Sequence, residues 1–292
     1  MSNKVISFYS SKACVIGLIQ VLFALVCFPQ NSHSQALPYP LQQYLGNLPT
    51  YIKVSFQADQ QDGTRYFSQN EDQRIPSASI IKVPILIYLF MQVDNGNLVL
   101  EEVVELKEKD KVGGAGLLRE MPDGSRFTWK YLAGEMIRIS DNTATNLIIG
   151  RLGMENIQDW LNKEGFDHTV LARLMMDFEA IEAGRQNYTS NRDINRLFLG
   201  LNNGLWLSED SRKEALFMLK NCKDKACIPS KLPLGTEVAH KTGTLDYVRG
   251  DAGIIFGASP LVLSVFVEGF EKPSEAEEII GEISRIVLEE LK

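Results

Sequence analysis

Histidine is scarce in this chain of 292 residues, with three in all and only His168 and His240 beyond residue 36. A Ser-His-Asp mechanism therefore has two candidate imidazoles, neither in a recognisable nucleophile motif. Cysteine is nearly as sparse, with four. Cys14 and Cys27 fall in an N-terminal apolar run, which leaves Cys222 and Cys227 around Lys-Asp-Lys-Ala. A zinc site built on that pair lacks partners, and no metal or cofactor is expected. In an exported protein the same two thiols are candidates for a disulfide. An excess of basic residues is missing too: the net charge is −7, which excludes the concentrated basic surface a nucleic-acid partner needs. There is no internal repeat and no low-complexity tract.

One long apolar run is present, Ala13 to Phe28, preceded by Lys4 and Lys12 and followed by small residues before Leu37. It is shorter than the ~20 residues that span a bilayer. Residues 1–36 are thus expected to be a cleaved export signal, with cleavage after Ser34 or Ala36, and the protein to be periplasmic or secreted, monomeric and free of the membrane. With 45% hydrophobic residues, the remaining 37–292 can bury a core as one large domain or two intimate subdomains.

Tyr51–Gln57 and Arg65–Ser68 look like a hairpin around Gln61–Asp62–Gly63, after a short helix within Pro38–Leu48. From Ser79 the pattern turns helical, with Pro84 predicting a bend near the second turn. Helices are expected over Trp129–Ile139, from just after Ser140–Asp141–Asn142 to a close at Gly153 and over Met154–Glu164, and Arg173–Asn187 as a long ordered loop. Strands are expected at Glu237–Thr244, Ala252–Gly257 and Leu261–Glu268, and a last helix opens with a capping box at Ser274 and Glu277. Strands at both ends with helices between predict an α+β fold: one sheet assembled from both termini, with a helical subdomain of about residues 77–230 inserted.

The chemistry centres on Ile75–Pro–Ser–Ala–Ser79–Ile–Ile–Lys82–Val–Pro84. Residues three apart share a helical face, so Ser79 and Lys82 are expected to touch. A lysine whose pKa is lowered by burial or by a second cation can take the proton of a serine nucleophile. Two more polar clusters occur once each: Ser140–Asp141–Asn142, which alone is a helix cap, and Lys241–Thr242–Gly243, which alone is a strand before a turn. In that order, S-x-x-K, S-D-N and K-T-G form a set known from β-lactamases and penicillin-binding proteins.

With Leu132–Asn146 and His240–Thr244 around these motifs, the sequence resembles the class A β-lactamases among the penicillin-recognising serine enzymes, from about Tyr51 onward. The resemblance implies a five-stranded antiparallel sheet flanked by N- and C-terminal helices, a helical subdomain and an acyl-enzyme mechanism. By motif, it implies Ser79 as nucleophile, Lys82 as base or relay, and Ser140 as proton donor to the departing nitrogen. Asn142 would hold the substrate's side-chain amide, and Lys241, Thr242 and Thr244 its carboxylate, with Gly243 also among the substrate-binding residues.

The sequence departs from the family at the deacylating glutamate. Matching the family's loop arginine to Arg173 puts Met175 at the glutamate's place and Glu179 at the following asparagine's, with Asn187 in place of an aspartate. Glu179 is the expected substitute for activating water, with Asp177 and Glu182 behind it. Three functions stay open: a β-lactamase, a D,D-peptidase or transpeptidase acting on peptidoglycan peptides, and a penicillin-binding sensor that stays acylated.

Overall fold

The computed structural model describes residues 36–291, so the expected export signal lies outside the described residues except for its last position. A five-stranded antiparallel sheet is built from β1 (Lys53–Gln60) and β2 (Arg65–Gln69) near the start and β7 (Val238–Leu245), β8 (Val248–Ile255) and β9 (Leu261–Glu268) near the end. The order is β2-β1-β9-β8-β7, so among the described residues β7 has a strand neighbour on one side only. Both faces are apolar because alternate residues of β9 are apolar on each side. Val262 and Phe266 join one buried cluster, while Leu261, Leu263, Val265 and Val267 join the other. On the second face lie α1 (Tyr39–Gly46) and α9 (Pro273–Glu290).

The first face carries the rest. It packs against α2 (Lys82–Asp94), α3 (Trp129–Arg138), α4 (Asn142–Leu152), α5 (Met154–Lys163), α7 (Asn191–Asn202) and α8 (Glu209–Lys220) in one continuous core. Two-stranded ribbons join β3 (Ile75–Pro76) to β6 (Tyr188–Thr189) and β4 (Val103–Glu105) to β5 (Arg126–Thr128). Among the described residues, no helix is long and apolar enough to cross a membrane.

Three local expectations change. Strand β8 begins four residues before the predicted Ala252, because Arg249 and Asp251 are buried by polar partners and break the apolar alternation that marks a strand. Helix α9 starts at Pro273 with no side-chain cap; Glu277 is drawn into an ion pair with Arg249, and Glu275 instead accepts from the Glu271 N–H. Pro84 lies in the first turn of α2, where its missing N–H costs little, since a separate 3₁₀ turn, Ala78–Ile81, leads into the helix. The Arg173–Asn187 segment carries one short helix, α6 (Phe178–Glu182).

Candidate active site

Ser79 sits in the 3₁₀ turn and is half-buried, so its hydroxyl stays within reach of solvent. Ala78 before it has φ +46°, a left-handed conformation that strains a residue with a side chain. The turn lies against β7, and glycine at 243 permits the contact: a Cβ there would meet the Ser77 carbonyl and the Ala78 Cβ at 3.0 Å.

Lys82, in the first turn of α2, is fully buried. Its Nζ lies 3.1 Å from Ser79 Oγ, 3.0 Å from Ser140 Oγ, 2.7 Å from the Ser140 carbonyl and 2.9 Å from Asn142 Oδ1. Burial first, and the Lys241 charge second, push its pKa well below the usual lysine value, while Asp141 opposes them. A neutral amine between two hydroxyls can take a proton from one and deliver it to the other.

The Ser140–Asp141–Asn142 cluster is a helix cap and a site element at once. Asp141 is the N-cap of α4, and its carboxylate accepts from Ala144 at 2.9 Å and from the N–H groups of Leu117 and Leu118 at 2.7 and 2.9 Å. Those three bonds tie the 113–118 loop to the helix start. Ser140 takes φ +60°, which turns both its carbonyl and its hydroxyl onto Lys82. Asn142 donates to the Gly113 carbonyl at 3.1 Å and accepts from Lys82.

Strand β7 supplies the opposite wall. Lys241 is buried and donates to the Thr242 carbonyl at 2.8 Å. Burial lowers its pKa, and Cys222 first, then Asp251 and Asp224, work against that. Ser79, Ser140, Lys241, Thr242 and Thr244 line one cleft of about 470 Å³, joined by Arg138, Cys222 and Asp224. Sequence reading missed Arg249. From β8, opposite Thr244 in register, its guanidinium donates to Thr244 Oγ1 at 2.6 Å and to Asp224 at 2.7 Å. No motif marks it; only strand pairing brings it to Thr244.

The loop does not bring Glu179 to this cleft. Glu179 and Glu182 are exposed on α6, neither lines the cleft, and Asp177 caps that helix through Ala180 at 2.9 Å. Met175 is buried, its backbone clamped by Asn146, whose side chain donates to the Met175 carbonyl at 3.1 Å and accepts from its N–H at 2.8 Å. Asn187 ties the backbone of Ala172 and Arg173 with bonds of 2.8 to 3.1 Å, so it holds the loop without the charge of an aspartate.

The candidate disulfide is not formed: Cys222 and Cys227 are two free, buried thiols. Cys222 lines the cleft, whereas Cys227 belongs to the apolar cluster under α9, so the two face different surroundings. Burial pushes both thiols up.

A serine and a buried lysine at hydrogen-bond distance, a second serine on the same amine and a cationic strand edge, on this sheet, make a penicillin-recognising serine enzyme. Comparison with known proteins agrees over nearly the whole chain. It belongs to the β-lactamase enzyme family, whose model matches residues 41–291. β-Lactamase VEB-1 of Pseudomonas aeruginosa is 26% identical over 294 residues, covering 94% of this chain and 96% of that protein. The solved structure of PBP-A superposes with a TM-score of 0.80 at 30% identity, covering 88% of this chain and 97% of that one. A leucine-to-glutamate variant of PBP-A, solved as an acyl-enzyme complex with penicillin-G, gives 0.79 at 31% identity, covering 86% and 94%.

Proposed function

We infer that this chain is an exported serine hydrolase that opens the β-lactam amide through an acyl-enzyme on Ser79, forming it readily and releasing it slowly. Neutral Lys82 takes the Ser79 proton as Oγ attacks the carbonyl, and the N–H groups of Ser79 and Thr244 hold the oxyanion, each such donor contributing about 2.7–4 kcal/mol. The proton passes through Lys82 to Ser140 and on to the ring nitrogen as the C–N bond breaks. Lys241, Thr242 and Thr244 bind the substrate carboxylate, and Asn142 its side-chain amide. Water then adds to the ester and regenerates the serine. The observation that carries the reading is the buried Lys82 amine within 3.1 Å of both hydroxyls.

A second reading, a D,D-peptidase that transfers peptidoglycan peptides, is favoured by one observation. Met175 stands at the position assigned to the water-activating carboxylate, and Glu179 is exposed and not among the residues that line the cleft. A peptidase that hands its acyl group to an amine needs no such carboxylate. Similarity to PBP-A, whose leucine-to-glutamate variant was solved with a penicillin-G acyl group, supports the acylation step that both readings share.

Intact-protein mass spectrometry with benzylpenicillin, followed over time, tests both. The expected result is an adduct on the wild type that decays slowly, ring-opened product in step with the decay, and no adduct on Ser79→Ala. Failure of the wild type to form an adduct would reject the reading; peptide release from a D-Ala-D-Ala substrate faster than β-lactam turnover would favour the peptidase.

A further inference from the structure

His240, beside Lys241 in β7, has no part in the chemistry above, yet it is fully buried. Its Nδ1 lies 3.0 Å from both carboxylate oxygens of Asp251, and its Nε2 lies 3.3 Å from Lys225 Nζ. An ammonium only donates, so Nε2 accepts from Lys225 and the ring proton sits on Nδ1, where it donates to Asp251. The Ile228 N–H donates to the same carboxylate at 3.0 Å. Asp251 is completely buried, and both of these neighbours are donors.

Strand alternation gives this pair its direction. Thr242 pairs with Asp251 and His240 with Gly253, while Lys241 pairs with Ala252. Val238 and Ile255 belong to the cluster under α9, and Ala239 and Ala252 to the cluster around α2. His240 and Asp251 therefore lie on the α9 side of the sheet, and Lys241 on the α2 side. The Asp251 carboxylate stands behind Lys241 across one strand.

We propose that Asp251, oriented by His240, is a positioning residue for Lys241, supplying from behind the sheet a fixed counter-charge that Lys82 lacks. The inference rests on the acylation chemistry proposed for Ser79. Two buried lysines face one cleft, and the reaction needs them in opposite states: Lys82 neutral to take a proton, Lys241 charged to hold a carboxylate. The groups around Lys241 are Asp251 and Arg249 from β8, Cys222 and Asp224 from the segment after α8, and Lys82 itself. Arg249 is paired with Asp224 and with Glu277 of α9, so Asp251 is the carboxylate there without an ion-paired arginine. The acid that favours the charged form of Lys82 is Asp141, and that carboxylate is committed to three backbone N–H groups.

The test follows the Lys241 side chain by NMR in protein carrying ¹³C-lysine, wild type against Asp251→Asn, with Lys241→Arg to assign the signal. The midpoint of Lys241 is expected to fall by roughly one to two pH units, the Coulomb effect of a nearby buried charge. In parallel, acylation is compared for benzylpenicillin and its methyl ester: the acid should slow about tenfold or more in Asp251→Asn and the ester hardly at all. A general loss of packing would slow both alike. His240→Asn, which leaves the carboxylate in place but loosens it, should move both readouts the same way by less, and it decides the matter if Asp251→Asn does not fold. An unchanged Lys241 midpoint in a folded variant, or equal slowing of acid and ester, overturns the proposal. Should the wild type not react with a β-lactam at all, the reading of Ser79 falls, and the NMR titration still decides the role of Asp251.

Discussion

Replacing Met175 by Glu asks directly whether the acyl-enzyme persists for want of a base. The Met175 backbone is pinned by both ends of the Asn146 amide, so a new side chain starts from a fixed point. Methionine and glutamate are both unbranched and of similar reach, so the exchange mainly adds charge. A positioned general base contributes about 10²–10⁴-fold, or roughly 2.7–5.5 kcal/mol at 1.36 kcal/mol per tenfold. Deacylation of the penicilloyl adduct is expected to speed up by that factor, with acylation changed little because Ser79 and Lys82 are untouched. Met175 is 7% exposed, so an unpaired carboxylate there also destabilises the fold, by at most about 3–5 kcal/mol. Stopped-flow mixing followed by quenched mass spectrometry measures the adduct lifetime, and circular dichroism checks the fold. A folded variant with an unchanged lifetime would refute the reasoning, as would a wild-type adduct that already disappears within a second.

Asp59 is buried against Gln57 and Asn195, and burial raises its pKa from 3.8 to about 6, against the hydrogen bonds those two side chains give it. The folded state then binds more protons than the unfolded one between those values, so stability falls as pH rises from about 4 to 6 and levels off above. Urea unfolding at pH 4.5, 6 and 8 should show this slope in the wild type and lose it in Asp59→Asn. Asp141→Ala strands the N–H groups of Leu117, Leu118 and Ala144; a loss of about 2–4 kcal/mol is expected, with faster amide exchange at Leu117 and Leu118. Alkylation of the native protein should label Cys222 and Cys227 slowly and, after denaturation without reductant, completely; a pair that labels only after reduction would contradict the free thiols.

What the sequence could reveal followed from how local each feature is. Ser79 and Lys82 are one turn apart, and Ser140–Asp141–Asn142 is a contiguous cap, so both could be seen as local motifs, and their occurrence together with Lys241–Thr242–Gly243 pointed to a site. The strands β1, β2, β7 and β9 showed themselves as short strand-like runs set off by Gly, Asp and Pro, within a few residues at their ends. Arg249, Asp224 and Asp251 stayed hidden because their partners come from other strands and loops, and charged residues inside β8 disguised its start. The last helix misled for the opposite reason: Ser274 and Glu277 have the spacing of a cap, but Arg249 claims the glutamate. The loop after Arg173 could be matched in register to a family, yet its side-chain directions depend on Asn146 and Asn187, far away in sequence or unremarkable in type.

Strand β7 stands at the border of its sheet, with β8 on one flank and, among the described residues, no strand on the other. Its outward backbone groups beside Thr244 therefore have the pairing capacity of an unfinished ladder. A molecule that is itself an extended amide backbone can dock there as a temporary sixth strand and deliver its carbonyl to the serine in a set orientation. Ligands that imitate a stretched peptide should thus compete better than compact ones of equal charge.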